Sequence, residues 1–145
     1  GCKIYCDTNM IVNGLSKTIL KKFNCVPYTL VSDAEVSKKA KERGVTRSIV
    51  GMEYAGKDKE TKIFLIGNAP TALYKLKEMI EKNEIEKPAL VVGVPVGFVG
   101  ASESKEVFKE TKVPYITING RKGGSTAAVS ILHGILYQIY KREGF

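Results

Sequence analysis

Apolar residues along this chain concentrate in short runs, at positions 3–6, 26–31, 63–66, 89–94 and 115–118. Runs of this length bounded by Gly, Pro, Asn or Asp are strand-sized. The run at 89–94 has no polar position, as expected of a strand buried on both faces of a parallel sheet. Between the runs the spacing changes to threes and fours. Asn9 is placed to cap a short turn through 10–12 that Gly14 closes, and 15–23 reads as helical. Ser32 and Asp33 are cap candidates for a helix over 34–43 that Gly44 stops. Thr46 opens a helix reaching about Ala55, broken by Gly56-Lys57-Asp58. Asn68 and Pro70 suit a helix start, and Leu73, Leu76 and Ile80 then form an amphipathic face. A polar helix over 102–111 is anchored by Val107 and Phe108, and a final helix runs from Ser125 to about Lys141.

Strand and helix alternate throughout, which predicts an α/β fold: a single three-layer domain over 1–145, with a five-stranded, mainly parallel sheet flanked by helices. The final helix is apolar on more than one face, through Ala128, Ile131, Leu132, Ile135, Leu136 and Ile139 with Val129, Tyr137 and Tyr140. Such a helix packs centrally or meets a second subunit.

Three of the strand runs feed polar, glycine-rich loops. In open parallel sheets the loops beyond the carboxyl ends of the strands line the ligand crevice, so these loops mark one candidate site. Gly67-Asn68-Ala69-Pro70-Thr71 reads either as a capped helix start or as an anion site built from helix-start N–H groups and the Asn68 amide. In Gly93-Val94-Pro95-Val96-Gly97-Phe98-Val99-Gly100, glycines bracket an apolar ring in a loop, where Phe98 gains most by lying on a flat ligand. Asn119-Gly120-Arg121-Lys122-Gly123-Gly124-Ser125-Thr126 sets two cations before a helix; it lacks the order of a phosphate-binding P-loop and reads as an anion site or a basic turn. Arg47 offers a planar fork for a carboxylate. Asp7 ends the first strand as a helix-start partner or a site acid. His133, the only histidine, lies in the apolar final helix and reads as structural.

The formal charge of +8 calls for an anionic partner. Lys75, Lys77, Lys82 and Lys87 alternate with Glu78, Glu81, Glu84 and Glu86, the pattern of a solvated face with local charge pairs rather than a phosphate-tracking stripe. A small polyanion in the loop crevice is therefore preferred to nucleic acid. No apolar run reaches membrane-spanning length. Cys2, Cys6 and Cys25 are odd in number and lack metal-site spacing, which suits reduced cytoplasmic thiols.

Together, the stretches from Cys6 to Gly14, Thr46-Arg47-Ser48, Ile66 to Leu73, Pro88 to Lys105 and Asn119 to Ser125 resemble the precorrin-8X (cobalt-precorrin-8) methylmutase family, in the family's order and over almost the whole chain. The resemblance implies a cytoplasmic, homodimeric isomerase of cobalamin biosynthesis with no separate cofactor and no metal ligands. Its reaction moves a methyl group between adjacent ring carbons of precorrin-8 to give hydrogenobyrinate or the cobalt form, cobyrinate. The ligand is a polycarboxylate corrin, and the residues carried over as substrate-binding are Asp7, Arg47, Asn68, Thr71, Phe98, Ser102, Arg121, Lys122 and Ser125. The family's acid–base histidine, which promotes the shift by protonating a ring nitrogen, lies in an N-terminal helical region. This chain starts near the first strand and has no histidine near the loops. The expectation is therefore a C-terminal portion that binds substrate and is inactive alone. A non-catalytic corrinoid-binding relative and a nucleotide-binding α/β domain are the alternatives.

Overall fold

The computed structural model describes residues 1–140. Five parallel strands, β1 (Lys3–Cys6), β2 (Val26–Tyr28), β3 (Thr61–Ile66), β4 (Leu90–Gly93) and β5 (Tyr115–Thr117), form one sheet in the order β2-β1-β3-β4-β5. All four ladders are parallel, with Tyr5 opposite Phe64, Phe64 opposite Val91 and Val92 opposite Ile116. The helices are α1 (Asn9–Gly14), α2 (Lys17–Lys22), α3 (Ala34–Arg43), α4 (Arg47–Lys57), α5 (Pro70–Glu81), α6 (Ala101–Phe108) and α7 (Ser125–Ile139).

Strand side chains alternate faces, so a strand with no polar position must serve two cores. On one face Tyr5, Phe64, Ile66 and Val91 meet Met52 and Ala55 of α4, Leu73, Leu76 and Ile80 of α5, and Phe108 of α6. On the other, Ile4, Cys6, Leu65 and Val92 meet Ile11 of α1, Ile19 and Leu20 of α2, and Ala128, Leu132 and Leu136 of α7. The helix α3 packs outside α4 through Val36, Ala40 and Val50. The three-layer reading holds, and α7 spends much of its wide apolar arc on the sheet and on α1.

Several boundaries differ from expectation. The strand β2 ends at Tyr28 rather than 31, because it is an edge strand paired only with β1 and its last partner is Tyr5. Thr8, not Asn9, caps α1, with its hydroxyl accepting the Ile11 N–H at 3.2 Å. The helix α4 passes through Gly56, where a Cβ would stand 2.6 Å from the Met79 methyl; the glycine lets α4 close on α5 instead of ending it. The polar helix starts one residue earlier, at Ala101, and its last turn, Lys109–Thr111, is 3-10. Lys141, the expected end of α7, lies outside the described residues.

Candidate functional site

The strand order reverses between β1 and β3: the chain steps from β1 out to β2, then returns to β1's other side for β3, β4 and β5. Loops leaving neighbouring strands at such a point part to opposite faces, and a crevice opens at their carboxyl ends. Asp7, directly after β1, fills this point. It is only 6% exposed, and its carboxylate accepts the N–H groups of Gly67 (2.8 Å), Asn68 (2.9 Å) and Ala69 (2.8 Å). Burial raises the carboxyl above its ordinary range, and the three N–H groups pull it back.

That clamp corrects one expectation. Asn68 does not cap α5; Ala69 holds the cap position with no side-chain bond, Pro70 begins the helix, and Asp7 supplies the acceptor from another strand. The Asn68 side chain and Thr71 remain exposed beside this clamp.

Thr8, one residue on, joins its hydroxyl to that of Ser125 at 2.8 Å, bringing the start of α7 against the β1 loop. Gly67 permits the close approach: a Cβ there would lie 2.8 Å from the Ser125 Cα and 2.9 Å from its N. The loop after β5 is stitched to the end of β4, since the Gly124 N–H donates to the Val94 carbonyl at 2.8 Å.

Further along the edge, the Gly97 N–H donates to the Arg121 carbonyl at 3.0 Å, and the Arg121 guanidinium lies 4.7 Å from the centre of the Phe98 ring. Phe98 and Val99 are 83% and 90% exposed, so two apolar side chains stand out beside a cation. Beneath them Lys105 is 1% exposed, with its ammonium donating to the carbonyls of Gly120 (2.7 Å) and Lys122 (2.6 Å). Ser102 is half-buried in the first turn of α6, while the Lys122 side chain is exposed.

Asp7, Asn68, Thr71, Phe98, Ser102, Arg121, Lys122 and Ser125 thus lie on the loops and first helical turns that follow β1, β3, β4 and β5, at one edge of the sheet. Arg47 stands at the start of α4 near the β2 end, donating to the Val31 carbonyl at 3.3 Å. His133 is turned elsewhere: its Nε2 accepts the Ser16 N–H at 2.9 Å at the start of α2, and its ring meets Tyr137 edge-on. Lys105 was missed in the sequence reading. Its signal was spacing, because Ala101, Ser104, Lys105 and Phe108 make one helical face and all four are buried.

The fold and edge define a doubly wound parallel α/β protein with its glycine-rich loops at the carboxyl edge of the sheet, around the topological switch point. Residues 1–138 match the family model for precorrin-8X methylmutase, and the chain belongs to that family, whose members are isomerases of cobalamin biosynthesis. It is similar to the cobalt-precorrin-8 methylmutase of Leptospira interrogans, at 46% identity covering 98% of this chain and 68% of the relative. The enzyme of the same name from Priestia megaterium is 44% identical over 93% of this chain and 60% of its own length. A solved precorrin-8X methylmutase related protein superposes with a TM-score of 0.86 at 34% identity, covering 95% of this chain and 72% of the other. The chain therefore spans about two-thirds of the length of these curated relatives.

Proposed function

We propose that this chain forms the corrin-binding core of a methylmutase that shifts a methyl group between adjacent ring carbons of precorrin-8X or cobalt-precorrin-8, yielding hydrogenobyrinate or cobyrinate. The observation that carries the reading is the pairing of exposed Phe98 with the Arg121 guanidinium on one glycine-rich edge. A corrin is a broad apolar ring fringed by carboxylates, and such a ligand needs an apolar platform and cations side by side. Phe98 and Val99 take the ring face; Arg121, Lys122 and, from the β2 end or across a dimer, Arg47 take carboxylates. Asn68, Thr71, Ser102 and Ser125 supply hydrogen bonds along the rim, and Asp7 shapes the crevice from below.

Neither Asp7, saturated by main-chain donors, nor His133, committed to the start of α2, offers a free proton donor to this crevice. The proton that promotes methyl migration comes from a group beyond these loops. We place the protein in the cytoplasm as a homodimer. Free Cys2, Cys6 and Cys25 support the first, and Ile139, 64% exposed near the end of α7, supports the second. Among the described residues no helix is long and apolar enough to cross a membrane.

Titration of the purified 145-residue chain with hydrogenobyrinate, followed by the ligand's visible absorbance, tests the reading. Saturable binding that weakens with added salt is expected, with no conversion of precorrin-8X by these residues alone. Absence of corrin binding by a folded sample overturns the function. Turnover that disappears in His133→Ala overturns the structural assignment of that histidine.

A further inference from the structure

Lys105 is a buried cation without a counter-ion: among the described residues no carboxylate pairs with it, and its ammonium is spent on the carbonyls on either side of Arg121. Placing an ammonium in a protein interior is costly, and two neutral carbonyls repay only part of the cost. Burial accordingly lowers the proton affinity of Lys105 below that of an ordinary lysine. A purely structural plug at this core-facing position would be served by an apolar side chain.

The geometry of the bonded loop supplies a reason. In a trans peptide the C=O and N–H point in opposite directions, and no peptide among the described residues is cis. Drawing the Gly120 and Lys122 carbonyls onto Lys105 therefore turns the N–H groups of Arg121 and Gly123 away from it. Neither N–H has a protein acceptor among the described residues. The peptide between them is pinned separately, through the Arg121 carbonyl and the Gly97 N–H. Gly120, at φ +85°, gives the loop a turn that other residues rarely adopt. The result is a pair of alternate N–H donors, without protein acceptors among the described residues, in the segment that carries the exposed Arg121 and Lys122 side chains.

We propose that Lys105 is a positioning residue for ligand carboxylates: it holds the 119–124 loop with its N–H groups outward, and a carboxylate docked on them supplies the negative charge that the buried ammonium lacks. This rests on the corrin-binding reading and names the main-chain donors at which one carboxylate is received.

The test compares the full chain with Lys105→Met, Lys105→Gln, Arg121→Ala and the double variant Lys105→Met/Arg121→Ala. Titrants are hydrogenobyrinate and its methyl-esterified form, and amide NMR follows Arg121, Gly123 and Gly97. In the wild-type chain, hydrogenobyrinate should move the Arg121 and Gly123 amide resonances downfield, and the ester should not. Lys105→Met should weaken hydrogenobyrinate binding about tenfold, the loss expected for one charge-assisted contact, and leave ester binding unchanged. Combined with Arg121→Ala it should cost less than the sum of the two, because both act on one carboxylate; a merely structural effect would add and would weaken the ester equally. Without ligand, the Gly97 amide should exchange faster in Lys105→Met. Wild-type binding with unmoved Arg121 and Gly123 amides, or an additive double variant, overturns the proposal. If wild type binds no corrin, the functional reading fails separately, and unchanged Gly97 exchange in Lys105→Met then overturns the Lys105 assignment as well. If the Met variant does not fold, Lys105→Gln and the wild-type amide shifts decide in the same way.

Discussion

The two halves of the sheet's carboxyl edge are built as opposites. At the β1–β3 half a buried anion, Asp7, gathers three main-chain N–H groups and so turns the carbonyls of Gly67 and Asn68 away from itself. At the β4–β5 half a buried cation, Lys105, gathers two carbonyls and turns N–H groups away. One loop commits donors to an anion, the other commits acceptors to a cation, and both charges are buried. A carboxylate thus has an electrostatic reason to dock at the β5 side, where Arg121 and Lys122 also stand. The two buried ions differ in their cost of removal. Asp7 satisfies both its oxygens at the centre of the sheet, whereas Lys105 holds a surface loop.

The largest test of this contrast is therefore Asp7→Asn. Its amide nitrogen would face donors, and at least one buried N–H would lose its acceptor. A loss of about 3 kcal/mol in global stability is expected by urea denaturation. A loss below about 1 kcal/mol would show that the clamp is not the keystone of its half. Gly67→Ala comes next, at about 2 kcal/mol, because the new methyl would press on Ser125 main-chain atoms that cannot step aside as a side chain would. It should also open the Thr8–Ser125 contact, visible as faster exchange at the first amides of α7. An alanine tolerated at no cost would mean that the two loops are not mechanically joined.

In binding, Arg121→Ala should weaken hydrogenobyrinate by about 1–3 kcal/mol and flatten the salt dependence, since it removes a charge. Phe98→Ala should weaken binding less, by about 1 kcal/mol, with the salt slope intact, since it removes apolar contact. Equal salt slopes for the two variants would erase the proposed division between platform and cation.

How much of this was readable in advance depended on whether the signal was local. Strand runs such as 63–66 and 89–94 and the Asp33 and Thr46 caps depend on neighbours within a few residues, and the structure bears them out. The Lys–Glu alternation on α5 likewise appears as pairs, Lys77 with Glu81 at 2.7 Å and Lys82 with Glu78 at 2.9 Å. The two buried ions have partners far along the chain. Asp7 answers donors about 60 residues away, and nothing in the Asn68 neighbourhood reveals that a distant carboxylate has taken over its capping role. Lys105 looks like any helix lysine until its spacing from Ala101 and Phe108 is noticed. Composition cannot separate a solvated lysine from one that organises a loop; position on the buried face can.

The last expected effect is a pair of pH slopes of opposite sign. Asp7 binds its proton more tightly in the folded chain than in the unfolded one, because burial disfavours the carboxylate more than the three N–H groups favour it. The folded state then holds more protons across the window just above the ordinary carboxylate range, and stability attributable to Asp7 falls as pH rises through it. Lys105 is lowered by burial, so the unfolded state holds more protons just below the ordinary lysine range, and stability attributable to Lys105 rises with pH there. Glu53, held down by Arg43 and Lys75, slopes upward in acid and would mask the first effect in wild type alone. Difference curves remove that background: urea stability of wild type minus Asp7→Asn should decline across the acid window, and wild type minus Lys105→Met should climb across the alkaline one. Two slopes of the same sign would mean that the buried anion and the buried cation do not bear opposite burdens, and the contrast between the two halves of the carboxyl edge would fail at its electrostatic root.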